Sequence, residues 1–231
     1  MKLSRILSNE NGISRRHANE LLASGRVRVD GEVCHVGARE VTRFQQVCID
    51  HTIIQAATPA YYLMLHKPEG YLSATVDDQH PTVLELIEPA LRPHLHIGGR
   101  LDRASTGLLI LSNDGLWSRR LTEPAIKLPK VYRVTTAEPI APEAGKQFEQ
   151  GIWFAFEQMT TSPAQLEPLG PREARVTIYE GRYHQVKRMF HAVGNRVTSL
   201  HRESMGPLRL DPTLAVGHYR PLSEQEVSSI G

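Results

Sequence analysis

Asp102 stands between two arginines in Gly99-Arg100-Leu101-Asp102-Arg103-Ala104-Ser105-Thr106-Gly107. A carboxylate flanked by guanidinium groups is expected to stay ionised, because an opposite charge within about 4–6 Å lowers a carboxyl pKa by roughly 1–3 units. Joined by a second acid, Asp114 or Glu180, it would have the two carboxylates of a glycosidase-like hydrolase. The alternative on local chemistry is an Arg-Asp-Arg surface ion cluster with no reaction attached.

The elements around the acid set where it sits. Glycines at both ends let the backbone turn sharply and let another molecule approach closely. Leu108-Leu109-Ile110-Leu111 is a short apolar run closed by Ser112-Asn113-Asp114-Gly115, which predicts a buried strand and a turn. Asp102 then lies on a loop entering a rigid core element, where catalytic groups are often carried. Asp114 is placed to cap a helix bearing Leu116, Trp117 and Leu121, with Arg119 and Arg120 on its polar side. Upstream, residues 61–68 read as a strand stopped by Lys67-Pro68. There Lys67 is either a phosphate contact or a solvated turn lysine. Val83 to Ile87 predicts a short helix. Downstream, residues 175–181 alternate as a strand and lead through a turn into a helix with Val186, Met189 and Phe190 inward. His94 and His96 have no acidic or cysteine partner at metal-ligand spacing.

Composition bounds the class. The 231 residues hold one large or two modest domains. No apolar run approaches the roughly 20 residues of a membrane span, and the start lacks a signal-peptide core. Cys34 and Cys48 have neither ligand spacing nor disulfide density, which favours a reducing cytoplasm and a role as small core residues. Net charge is only +2, but it is unevenly spread. Residues 1–28 carry six Lys/Arg against Glu10 and Glu20, and residues 171–202 carry seven against Glu173 and Glu180. Two basic concentrations on a nearly neutral chain suggest two surfaces that face a polyanion.

The first of these is organised as helix, helix, hairpin. Leu3, Ile6 and Leu7 fit one helix, ended by Asn11-Gly12. Ser14 predicts the N-cap of a second, with Ala18, Leu21 and Leu22 inward and Gly25 as the stop. Arg15 and Arg16 fall in its first turn, where free N–H groups and added cations suit a phosphate. Val27 to Val33 alternates around Asp30-Gly31, a hairpin signal that carries Arg26 and Arg28. His51 to Ala60 is uncharged and aperiodic, so the linker is placed at residues 51–60.

Three family resemblances follow from these motifs, the last of them partial. Gly99-Arg100-Leu101-Asp102 with Thr106-Gly107-Leu108-Leu109 resembles the signature of the RsuA/RluA superfamily of pseudouridine synthases. Three further segments match in order: the strand ending in Lys67-Pro68 with Gly70, the Lys130-Val131-Tyr132 strand, and Gly181-Arg182-Tyr183-His184-Gln185-Val186-Lys187-Arg188-Met189. The last is similar to the RsuA branch. The larger branch has His-Gln-(Ile/Leu)-Arg, which aligns Lys187 with that arginine and leaves Arg188 as a second candidate. Residues 1–48 resemble the S4 RNA-binding domain. His96-Ile97-Gly98-Gly99 is partly similar to the His-Ile-Gly-His box of aminoacyl-tRNA synthetases, but it differs at the fourth residue and has no Lys-Met-Ser-Lys-Ser partner.

The superfamily resemblance implies an α+β protein: a small S4-like (α-L) domain over 1–50, then a catalytic domain over 61–231 with a mixed, mainly antiparallel sheet and a central cleft. It implies an isomerase that converts uridine to pseudouridine in small-subunit (16S) ribosomal RNA, at position 516 for this branch. Asp102 is then the nucleophile, Tyr132 packs the base, and Lys187 pairs with the acid. Arg100 fills the gap left by the flipped base. Arg103, Lys67, Arg182, Arg188, Arg196 and Arg202 join Arg15, Arg16, Arg26 and Arg28 as RNA contacts. The reaction needs no cofactor, and the expected state is a cytoplasmic monomer with ribosomal RNA as partner and no membrane. A non-catalytic RNA-binding or ribosome-assembly protein would use the same surfaces.

Overall fold

The computed structural model describes residues 1–230 and divides the chain into two compact units, Met1–Ala60 and Tyr61–Gly231. In the first unit α1 (Leu3–Ser8) and α2 (Arg15–Ala23) precede β1 (Val27–Val29), β2 (Glu32–Val33), β3 (Val47–Ile49) and β4 (Thr52–Gln55). Ser14 caps α2, its hydroxyl accepting from the His17 N–H at 3.2 Å. The β1–β2 turn uses Asp30 and Gly31 at φ 52° and 85°, a pair of positive angles that suits a tight hairpin. Leu3, Leu7, Leu21, Leu22, Val27, Val29 and Val47 form the core, and Cys34 joins it. Cys48 is only half-buried. The linker expected at 51–60 is corrected in its first half: β4 pairs with β3 and completes the four-stranded sheet in the order β2-β1-β3-β4. An uncharged edge strand this short carries no periodicity that distinguishes it from a linker.

The second unit is built on a nine-stranded sheet. Its strands are β5 (Tyr62–Lys67), β6 (His96–Ile97), β7 (Thr106–Ser112), β8 (Lys130–Thr136), β11 (Gln165–Gly170), β12 (Glu173–Ile178), β13 (Val197–Met205), β14 (Leu208–Arg209) and β15 (Tyr219–Pro221). A separate hairpin, β9 (Trp153–Phe154) with β10 (Met159–Thr160), lies between them in sequence. The helices are α3 (Gly115–Thr122), α4 (Ala144–Gln150), α5 (Gln185–Ala192) and α6 (Glu224–Ser228), and the segment expected as a helix at 83–87 is a single 3-10 turn, Val83–Leu86. The main path runs β11-β12-β8-β13-β7-β5-β15, with β14 on β13 and β6 on β7.

Among the described residues, every strand pairing of this sheet is antiparallel except β13 with β7, which run parallel with His201 opposite Thr106 and Arg202 opposite Gly107. The strand after Asp102 is therefore the sheet's interior. Leu109 and Leu111 face one core with Leu63, Leu65 and Phe190, while Leu108 and Ile110 face another with Met64, Trp117 and Met205. A strand covered on both faces reads as an unbroken apolar run. Each such leucine contributes roughly 1.5–3 kcal/mol by leaving water, which makes β7 a stiff support for the loop before it. Among the described residues no helix is long and apolar enough to cross a membrane.

Candidate active site

The loop that carries Asp102 reaches β7 through a close crossing. Gly107 has φ +106°, and a Cβ there would overlap the Arg202 carbonyl oxygen and lie 2.6 Å from the Arg202 nitrogen. Only glycine permits that approach. On the other side, α5 starts after a turn that is tied internally. Gln185 Oε1 accepts from the Arg182 N–H at 3.0 Å, and Gln185 Nε2 donates to Glu180 Oε1 at 2.8 Å. These two elements bring Asp102 and Lys187 together across 85 residues of sequence. Lys187 Nζ lies 3.0 Å from Asp102 Oδ2, and His184 Nε2 lies 3.4 Å from Oδ1. Each carboxylate oxygen thus has its own nitrogen partner.

The pair opens on a cleft of about 890 Å³ lined by Arg100, Asp102, Arg103, Tyr132, Glu180 and Tyr183 among others. Tyr132 is buried in β8 and is among the residues that line the cleft. Arg100 and Arg103 are exposed and form no ion pair among the described residues, so the expectation that they hold Asp102 is corrected. The carboxylate takes its partners from α5 and the turn before it, and the two guanidinium groups stay available at the rim.

Two basic residues expected on RNA are buried instead. Lys67 is fully enclosed, and its ammonium donates to the carbonyls of Pro68 at 3.0 Å, Arg103 at 3.3 Å and Ser105 at 2.7 Å. Burial pushes its pKa down to about 8, opposed by the charge of Asp102. Arg202 is also enclosed, donating from Nε to Leu108 O at 2.8 Å and reaching the carbonyls of Arg100 and Gly99. Neither is a phosphate contact. Together they bind carbonyls on both sides of Asp102, and a cation buried among carbonyls fixes a loop that has no secondary structure of its own. Ser73 adds to this clamp, its hydroxyl donating to Leu101 O at 2.8 Å.

The other expected groups divide. Arg182 is half-exposed beside Glu180, and Arg196 is exposed. Arg188 is not the partner of Asp102. Its guanidinium is paired with Glu157 and sits 3.7 Å above the Phe154 ring. Asp114 is a cap, accepting from the Leu116 and Trp117 N–H groups and from the Tyr62 hydroxyl, whose pKa is pushed up to about 12 by burial and that bond. It lies outside the cleft lining, which removes it as a second catalytic acid. Glu180 does line the cleft, with both oxygens engaged by Ser162, Arg182 and Gln185. His96 pairs with Ser118 through its Nε2. In the first unit Arg15 and Arg28 are exposed, while the exposed Arg16 and Arg26 pair with Glu20 and Asp50.

Motif reading missed His184. It occupies the N-cap position of α5 at φ 48° and ψ 31°, an unusual conformation for a non-glycine residue. Its closeness to Asp102 depends on that backbone, and nothing in the residue order signals it.

The structure thus sets an ion-paired carboxylate, Asp102 with Lys187, on a cleft also lined by Arg100, Arg103 and Arg182. Comparison with known proteins identifies the class. A family model described as RNA pseudouridylate synthase matches residues 61–192. A protein of Pseudomonas aeruginosa named ribosomal small subunit pseudouridine synthase A is 54% identical over 230 residues, covering 100% of both chains. The protein of the same name from Escherichia coli strain K12 is 42% identical over 230 residues, again covering 100% of both. A solved structure titled as a crystal structure of pseudouridylate synthase superposes with a TM-score of 0.73 at 35% identity, over 100% of each chain. The chain belongs to the RNA pseudouridylate synthase family.

Proposed function

We propose that this enzyme isomerises one uridine of small-subunit ribosomal RNA to pseudouridine, with Asp102 as the nucleophile. The observation that carries this reading is the Asp102–Lys187 pair at 3.0 Å, set in a cleft whose wall includes Tyr132. In the reaction the N1–C1′ bond breaks, the base turns, and a C5–C1′ bond forms. C5 gives up a proton and N1 gains one, so no electrons are gained or lost. Asp102 acts on the sugar or the base, or takes a ribose proton. Lys187 keeps its charge in place through each step, and the Tyr132 ring packs against the base. Aromatic stacking of this kind is worth about 1–3 kcal/mol. The target base must leave its stack to enter, at a cost of a few kcal/mol, and the exposed Arg100 on the cleft would fill the space it leaves.

The small-subunit substrate rests on the shared names of full-length relatives, and position 516 of 16S rRNA is the finer proposal. One chain carries every residue of the site, so the reading needs no second copy, and a substrate of this kind places the enzyme in the cytoplasm. The test is modification mapping of small-subunit RNA from a strain lacking the gene. One pseudouridine should be missing there and should return on complementation, with product mass unchanged from substrate. An unaltered map, or release of free uracil as a hydrolase would give, contradicts the reading.

The first unit is proposed to dock RNA as an S4-like domain. The first turn of α2, where Ser14 takes up only the His17 N–H and Arg15 is exposed, supports it. Arg15→Ala should weaken RNA binding equally across sequences and make its salt dependence shallower by about one unit of slope. An unchanged slope would remove this role.

A further inference from the structure

Tyr183 is the most exposed aromatic residue on the wall of the cleft, 75% open to solvent. Its ring lies flat on His184, centroids 3.9 Å apart and planes 17° from parallel. His184 in turn touches Asp102 Oδ1 through Nε2. The exposed tyrosine, the histidine and the Asp102 carboxylate therefore form one continuous line. The turn that holds them is fixed at several points. Arg188 Nη1 donates to the Tyr183 carbonyl at 3.3 Å while its other contacts anchor it to Glu157. Gln185 closes the preceding backbone onto Arg182 and Glu180. These bonds hold His184 in the left-handed region, which L side chains disfavour.

We propose that Tyr183 and His184 form a stacking rim. The outer face of Tyr183 takes an unpaired RNA base next to the target uridine, and His184 beneath it is a positioning residue that holds Asp102 Oδ1. This deepens the reading of the site as an RNA uridine isomerase and rests on it. One face of the phenol ring is covered by imidazole and the other is open, as a base-stacking platform requires. The cations Arg100, Arg103 and Arg182 on the same cleft supply the charge that a nucleic-acid strand would need. A lone exposed tyrosine is unremarkable. One laid against a residue that contacts the catalytic acid, on a turn braced in a disfavoured conformation, has a reason to be there.

The test is steady-state kinetics on small-subunit ribosomal RNA, as transcript or particle, whichever the wild-type enzyme turns over. Tyr183→Ala and Tyr183→Leu should each raise KM about tenfold with kcat within about twofold, and Tyr183→Phe should restore KM. His184→Ala should lower kcat about tenfold at unchanged KM, and His184→Gln, which retains a donor, should recover part of it. Unfolding midpoints identify any variant whose loss is one of folding. A wild-type KM in Tyr183→Ala, or a leucine as good as phenylalanine, overturns the rim. Full kcat in His184→Ala overturns the positioning role. Asp102→Asn measured in parallel separates the two levels: if it is inactive while Tyr183→Ala is normal, only the rim fails, whereas an active Asp102→Asn removes the reading beneath it.

Discussion

Lys187 Nζ lies 3.0 Å from Asp102 Oδ2, while Arg188, the next residue, is bound to Glu157 on the β9–β10 hairpin. Adjacent helical residues point about 100° apart, so one turn of α5 cannot offer both cations to the same acid. The helix presents the lysine, and the site has a compact point charge where a guanidinium fork would be larger and planar.

Lys187→Met should therefore lower kcat about a hundredfold with RNA affinity nearly kept, the usual scale for removing one preorganised electrostatic partner. Arg188→Met should leave the chemical step far less affected and act on stability through the lost Glu157 pair. Single-turnover rates beside unfolding midpoints distinguish the two. A larger rate loss in Arg188→Met would mean that the pairing is misassigned.

Lys67 predicts a pH dependence with opposite signs for activity and stability. Its ammonium is the clamp on the Arg103 and Ser105 carbonyls, and its pKa is lowered from 10.5 to about 8 by burial. Turnover should fall as pH rises through about 8, and that limb should be absent from a slower Lys67→Met enzyme. Stability should not fall with it. Between the folded and unfolded pKa values the unfolded chain binds more protons, so this group makes the unfolding free energy rise with pH. Rate–pH profiles and denaturant midpoints from pH 7 to 10 measure both.

Gly107→Ala tests the seam between β7 and β13. The added methyl meets Arg202 backbone in a parallel pair that cannot separate without moving the sheet. A loss of about 3 kcal/mol or more is expected, from overpacking and a positive φ together. Chemical denaturation reads it directly, and a loss below about 1 kcal/mol would show that the crossing has slack.

What the residue order revealed was largely what is local. The Leu108 to Leu111 run, the Ser14 and Asp114 caps and the Asp30-Gly31 turn each depend on neighbours a few positions away, and all appear in the structure. Asp102 and Lys187 were legible through motif resemblance. Lys67 and Arg202 were not, because a basic residue in a sequence reads as solvated. Their burial depends on carbonyls supplied from 36 to 38 residues away for Lys67 and from 94 to 103 for Arg202. His184 was hidden for another reason: its role lies in a backbone angle imposed by Gln185 and Arg188.

The proposed reaction depends on the Asp102 carboxylate, and Asp102→Asn removes its charge with little change of shape. Tritium release from RNA carrying 5-labelled uridine, measured beside RNA affinity, tests it most directly. Release should disappear while affinity stays near that of the wild type, and release at the wild-type rate would contradict the assignment.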